Sequence, residues 1–395
     1  MKRVAFIAPT NLPVPAIKSG GIEQLIQNLI DENEKTPLIH IYLISAYDRD
    51  SKKLEKHYKF TDFLNVKYSF HRKVFNFLNR KLFSKLFGYK YFHHFLIQIM
   101  NILRNNKFDK VIIFGNDTHI VPVSKVVEKK KIIYYDASIL LQRINDFSLV
   151  SKIFVGSNMV KTIFLNNSEI LQDDDIKVIQ SGIDIEYFNN INKEFQNRKI
   201  REKYQLDADI PIICYLGRLS EDKGILPLLQ AARQIDNTVS FKLIVIGSFG
   251  LAFGSKSNRV LNNYEQEVHS LLMELGERCL YLGFVAKDDL IEYLAAVDIG
   301  VVPSIAEDPS PLAYFQYQAM GIPTIVSDSG GIPEFFSSDY SIMVKRGPAM
   351  VNKMAQALSL LIENKSLRDS MASCAVKNRE YLGTNRYFHD FIKFV

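Results

Sequence analysis

Short apolar runs alternate with amphipathic stretches along almost the whole chain. In the first half VAFIAP, IHIYLIS, KVIIFG, KIIYYD and SKIFVGS predict strands, with helical sequence such as Ile22–Asn33 between them. In the second half the strands are IPIICYLG, FKLIVIGS, CLYLGF, DIGVVPS, IPTIVSD and SIMVK. The intervening helices are Ile225–Ile235, Asn263–Cys279, Lys287–Ala296, Leu312–Met320 and Ala349–Glu363. Strands that are apolar at nearly every position belong to parallel sheets buried on both faces. The class is therefore α/β, with two successive strand–helix series.

Between Ser181 and Tyr204 the pattern weakens into NNINKEFQNRKIREKY, polar and rich in Asn, which reads as the connection between two domains. The expected domains are residues 1–190 and 205–375, each Rossmann-like, facing each other across a cleft. The last residues, LGTNRYFHDFIKFV, have the spacing of an amphipathic helix.

A length of 395 residues allows each domain its own core. A hydrophobic content of 47% with 23% charged residues is that of a globular chain. Cys214, Cys279 and Cys374 fit no metal-ligand spacing, and Cys214 lies in an apolar run, so a buried free thiol there and a reducing cytoplasm are expected. Lys2-Arg3 and the apolar run after them could open a leader, but the run is short and Pro9, Pro13 and Pro15 follow at once; a first strand fits better. No apolar stretch approaches the ~18–20 residues of a membrane span.

The net charge of +6 is unevenly placed. Residues 1–193 hold 28 Lys and Arg against 19 Asp and Glu, and residues 194–395 hold 21 against 24. Much of the excess lies between Phe63 and Phe108, where nine basic residues from Lys67 to Lys107 meet no acid. Phe75, Leu78, Leu82 and Leu86 recur at helical spacing there. Residues 67–107 could lie against an anionic membrane at the inner face of the plasma membrane, or could be a helical pair with its apolar face in the core, or both. No nucleic-acid module accompanies the patch, so nucleic acid is not expected as a partner.

Candidate chemistry concentrates in two stretches of the second half. Gly217-Arg218-Leu219-Ser220-Glu221-Asp222-Lys223-Gly224 follows a strand and precedes a helix. It therefore sits at the carboxyl end of a sheet, where open α/β folds bind ligands. Arg218 and Lys223 on such a turn can converge on one diphosphate, although alone they would read as a solvated loop. The second stretch is DIGVVPSIAEDPSPLAYFQYQAMGIPTIVSDSGGIPE. Glu307 and Gln316 suit sugar and ribose hydroxyls, because each offers accepting oxygens. Backbone N–H groups at Ser310, Leu312 and Ala313 suit a phosphate, while Pro309 and Pro311 hold the loop's shape.

Taken together these stretches resemble the family 4 retaining glycosyltransferases of the GT-B fold. The signature P-S-x-x-E, a helix bearing an acidic residue, then G-x-P-x-I-x-S-x-x-G-G-x-P-E is matched from Pro303 to Glu334. GRLSEDKG matches the family's phosphate-binding turn, and Gly20-Gly21-Ile22-Glu23 matches its GG-x-E. IKVIQSGIDIEYF resembles its domain-closing segment.

The resemblance implies that Arg218 and Lys223 neutralise the diphosphate, with Gly217 in the same turn, and that Glu307 sits by the donor sugar. Asp308, Pro311, Leu312 and Gln316 would complete the nucleotide site, and Gly20 and Gly21 would let a loop approach the donor phosphates. It also implies that the terminal helix, about residues 378–395, packs back on the first domain. No metal is expected, because Arg218 and Lys223 can supply the charge. The donor would be a nucleoside-diphosphate sugar, with UDP as the expected nucleotide, and no further cofactor is implied.

Two departures stand out. Gln316 occupies the place of the family's helical acid, and its spacing is regular from Asp308 rather than from Glu307. The family's histidine after a late strand of the first domain is matched only by Phe114 and Asp136; His119 lies five residues beyond Phe114. Asp136 is the better candidate for orienting an acceptor.

The leading expectation is a retaining hexosyltransferase acting on a glycan or lipid-linked acceptor in polysaccharide or glycoconjugate assembly. The alternative is a non-catalytic subunit of the same fold that binds glycan or protein. The sequence does not give the donor sugar, the acceptor, the linkage or the oligomeric state.

Overall fold

The structure, a computed structural model, describes residues 1–9, 12–17, 20–67, 94–136, 139, 144–249 and 261–395. The chain divides into two compact units, Met1–Gly182 with Thr384–Val395, and Ile183–Gly383. Most of the basic aromatic segment, and the stretch Ser248–Arg259 beyond Phe249, lie outside the described residues.

Among the described residues the first unit holds seven parallel strands in the order β3-β2-β1-β4-β5-β6-β7. They are β1 (Lys2–Ile7), β2 (Ile39–Ala46), β3 (Thr61–Val66), β4 (Lys110–Phe114), β5 (Ile132–Tyr135), β6 (Lys152–Val155) and β7 (Ile176–Val178). Of these, β3 and β7 had no clear strand signal, since TDFLNV alternates weakly and IKV is three residues long. The terminal helix Thr384–Ile392 seals one face. Its Phe391 ring lies 5.7 Å from Phe6 and 5.6 Å from Phe154, and Thr384 Oγ1 donates to Glu32 Oε1 at 2.8 Å.

Among its described residues the second unit holds six parallel strands in the order β10-β9-β8-β11-β12-β13. They are β8 (Ile212–Leu216), β9 (Lys242–Ile246), β10 (Cys279–Gly283), β11 (Ile299–Val302), β12 (Thr324–Ser327) and β13 (Ser341–Val344). Successive residues of β8 enter opposite cores, as a strand covered on both faces requires. Ile213 and Tyr215 pack under helices Ile225–Gln234 and Met350–Glu363; Ile212 and Cys214 pack under Lys287–Leu294 and Leu312–Ala319.

One reading of the sequence needs correction, and the structure adds helices that the pattern left open. The helix expected over Asn263–Cys279 ends at Glu274, because Gly276 takes φ +51°, and Cys279 opens β10 instead. The polar connection is largely helical, with Ile185–Asn189 and Lys193–Lys203 each capped by an Asp or Asn side chain. Lys365–Lys377 forms a further helix that the pattern did not single out. Among the described residues no helix is long and apolar enough to cross a membrane.

Candidate functional site

In the second unit the strand order reverses between β8 and β11, and ligands of doubly wound sheets bind beyond the carboxyl ends of such a pair. The turn after β8 is residues 217–224, and the loop after β11 is residues 303–311. Both chemically suggestive stretches therefore border one crevice.

The turn is held from below. Gly217 N–H donates to Ile246 O at 3.0 Å, Leu219 N–H to Ser248 O at 3.1 Å, and the buried Tyr215 hydroxyl to Arg218 O at 2.5 Å. Burial pushes the Tyr215 phenol well up, so it stays a neutral donor. Gly224 closes the turn at φ +69°, where a Cβ would stand 1.8 Å from Pro303 O. Only glycine allows that approach of turn and loop. Asp222 O then accepts from Ile305 N at 2.9 Å and Ala306 N at 3.1 Å, joining the two segments.

Two cations sit on this frame, each beside a carboxylate. Arg218 Nη2 donates to Asp222 Oδ2 at 2.8 Å, and Lys223 Nζ to Asp308 Oδ2 at 2.6 Å. Asp308 is buried and also accepts from Ser304 Oγ at 3.2 Å. Its backbone is fixed by Ser329 Oγ, 3.1 Å from Asp308 N, and by Gly331 N, 2.8 Å from Asp308 O. Gly330, at φ +55°, passes so close that a Cβ would lie 2.3 Å from Asp308 N.

Glu307 turns to a different task from its neighbour. One oxygen accepts from Gly330 N at 2.5 Å and the other from Arg346 Nη2 at 3.1 Å. The spacing ambiguity between Glu307 and Asp308 is thus one of roles: Asp308 is tied to the cationic turn, and Glu307 to the Gly-Gly turn. Ser304, Ser329 and Arg346 were missed from sequence; the available signal for Arg346 was a cation directly beyond the strand SIMVK.

Helix Leu312–Ala319 starts at the same crevice with Pro311 as its N-cap and no side-chain cap. Pro311 O takes the first intrahelical bond, from Tyr314 N at 3.0 Å, so the Leu312 and Ala313 amides precede it at the positive end of the helix. Leu312, Ala313 and Gln316 share the half-buried face, whereas Tyr314, Phe315 and Tyr317 are buried. Hydrogen bonds thus join the turn bearing Gly217, Arg218 and Lys223 to the loop bearing Glu307 and Asp308, and Pro311, Leu312 and Gln316 follow on the helix into which that loop leads. Glu334 lies exposed on the short helix Ile332–Phe335.

Gly20, Gly21 and Asp136 belong to the first unit. Gly20 is the N-cap of helix Gly21–Lys35 in extended conformation, and a Cβ there would meet Glu23 Oε2 at 2.1 Å. Glu23 is buried, and burial raises its carboxyl to about 7. Asp136, just beyond β5, is 1% exposed and receives the Tyr134 hydroxyl at 3.4 Å. His119 is fully buried with its ring stacked on Phe95, which favours a packing role.

Residues 196–378 match the family described as glycosyl transferases group 1. That match takes in just under half of the 395-residue chain. The chain is similar to the lipopolysaccharide 1,2-N-acetylglucosaminetransferase of Salmonella typhimurium, 28% identical over 187 residues, 47% of this chain and 46% of that one. The chain thus spans about half the length of that relative. It is 21% identical over 393 residues to spore coat protein SA of Bacillus subtilis, covering 96% of this chain and 94% of that one. Among solved structures, Anabaena HepE in complex with UDP and glucose superposes with a TM-score of 0.75 at 17% identity, covering 100% of this chain and 99% of that one. The last likeness shows the fold: two Rossmann-like parallel-sheet units of the GT-B class.

Proposed function

We propose that this chain is a glycosyltransferase that moves a hexose-type sugar from a nucleoside-diphosphate sugar to a glycan or lipid-linked acceptor, with retention of configuration. The observation that carries the reading is the joining of the Arg218/Lys223 turn to the Glu307/Asp308 loop at the strand-order reversal, beside an uncapped helix N-terminus. Two cations and two free amides suit a diphosphate, and stabilising its charge as it departs is the main electrostatic task of such a transfer. Glu307 suits a sugar hydroxyl, and Gln316 a ribose hydroxyl. The UDP and glucose bound by HepE and the sugar transfer named for the Salmonella relative support this reading.

Gln316 favours a second reading. An amide in place of an acid binds a hydroxyl without charge assistance, as a subunit that binds glycan but transfers nothing could tolerate. Incubation of the purified chain with UDP-, GDP- and dTDP-sugars and a lipid-linked glycan acceptor separates the two. Release of nucleoside diphosphate with a glycosylated product supports the enzyme; nucleotide binding without turnover supports the subunit.

A further inference from the structure

Arg346 lies immediately beyond β13 and reaches across three loops. Its backbone N–H donates to Asp328 Oδ1 at 2.8 Å and its Nε to the same oxygen at 3.2 Å. Nη1 donates to Ile305 O at 2.8 Å. Those contacts suffice to stitch the ends of β11, β12 and β13 together. Nη2 adds something they do not need: besides Asp328 O at 3.2 Å, it holds Glu307 Oε1 at 3.1 Å.

That last contact fixes a side chain and no backbone. The Glu307 side chain is 43% exposed, and an ion pair so placed contributes little to folding. With Gly330 N on the other oxygen, the carboxylate is nevertheless held at both ends. A carboxylate has about four lone-pair directions. Two are used here, so the remainder point in directions set by Arg346 and Gly330 together. A free glutamate on three rotatable bonds would have to be ordered at the moment of binding, at the expense of affinity.

We propose that Arg346 is a positioning residue for donor-sugar recognition, holding the Glu307 carboxylate so that its remaining lone pairs meet a hydroxyl of the sugar. This rests on the reading of the crevice as a nucleotide-sugar site. Arg346 itself touches no substrate. Its guanidinium is suited to the task because a planar fork can hold Asp328, Ile305 and Glu307 at once, which a lysine ammonium on a flexible stem cannot.

The test is a double-mutant cycle read as sugar discrimination, the ratio of UDP affinity to that of UDP-glucose, UDP-galactose and UDP-N-acetylglucosamine by calorimetry. The UDP-sugar bound tightest by the wild type is used for Arg346→Gln, Glu307→Gln and their combination. Arg346→Gln is expected to lower the preference for the UDP-sugar over UDP about tenfold, leaving UDP itself within about twofold. Glu307→Gln should do the same, and the double variant should be no worse than Glu307→Gln. Arg346→Lys should fall between wild type and Arg346→Gln, and it carries the cycle if Arg346→Gln does not fold. An unchanged ratio in the Arg346 variants, or additive losses in the double variant, overturns the proposal. A Glu307→Gln variant with unaltered discrimination refutes the sugar role of Glu307 itself, and a wild type that binds no UDP refutes the site.

Discussion

The Lys223 ammonium stands 2.6 Å from Asp308 Oδ2, and the Asp308 side chain is only 8% exposed. The cation that the turn presents is thereby balanced by a buried carboxylate that cannot turn to solvent. Removing the cation leaves that charge, among the described residues, with the Ser304 hydroxyl as its remaining side-chain donor. Lys223→Met is therefore expected to destabilise the protein by about 1–3 kcal/mol, and a companion Asp308→Asn should restore part of the loss. Urea unfolding of the single and double variants checks this; equal stability of Lys223→Met and wild type would contradict it.

Gly224 joins turn to loop by backbone contact alone. Its φ of +69° and a Cβ position 1.8 Å from Pro303 O make Gly224→Ala a steric conflict with a main-chain oxygen. A loss of roughly 1–3 kcal/mol is expected, together with weakened nucleotide binding, because the turn and the Pro303 loop must part. Gly276, also at positive φ but with nothing within 4 Å of an added Cβ, is the control: Ala there should cost stability without touching the site. Thermal unfolding and UDP titration of both variants make the comparison.

Glu23 sets a pH dependence. Burial lifts its folded-state value from 4.5 to about 7. Between those limits the folded chain keeps a proton that the unfolded chain releases, so this group makes stability fall as pH rises from about 4.5 to about 7. Above that window the charged, buried carboxylate costs on the order of 3 kcal/mol. Glu23→Gln should remove this slope and be more stable than wild type at pH 8 but not at pH 4.5. Equal pH profiles in denaturant unfolding would refute the assignment.

Gln316 shares the half-buried face of its helix with Leu312 and Ala313. If it accepts a ribose hydroxyl, Gln316→Glu should tighten UDP binding about tenfold, since a charged acceptor roughly doubles the strength of the bond. Unchanged or weaker binding in calorimetry would show that position 316 does not contact the ribose.

Much of this architecture was legible because its strands are buried on both faces. IPIICYLG, KVIIFG and DIGVVPS contain few polar positions, so their strand character survives any register. The strands missed were those with little to bury: β3 is intermediate or exposed at most positions, and β7 has three residues. Of the site, the cations and acids could be named from spacing, but their pairing could not. That Asp308 serves Lys223 while Glu307 serves Gly330 depends on which way two adjacent side chains leave one loop. Arg346 was hidden for a related reason: it lies 39 residues from Glu307, and only the sheet order brings the ends of β11 and β13 within its reach. Asp136 and His119 could be placed after their strands, but not their burial at 1% and 0%.

The central claim is that the crevice at the β8/β11 reversal grips a nucleoside diphosphate through Arg218 and Lys223. Calorimetric titration of UDP into wild type and the Arg218→Ala/Lys223→Ala double variant tests it most directly. The account predicts a loss of affinity of at least about a hundredfold in the double variant, with the fold intact by circular dichroism. Equal UDP affinity in the two proteins would contradict it.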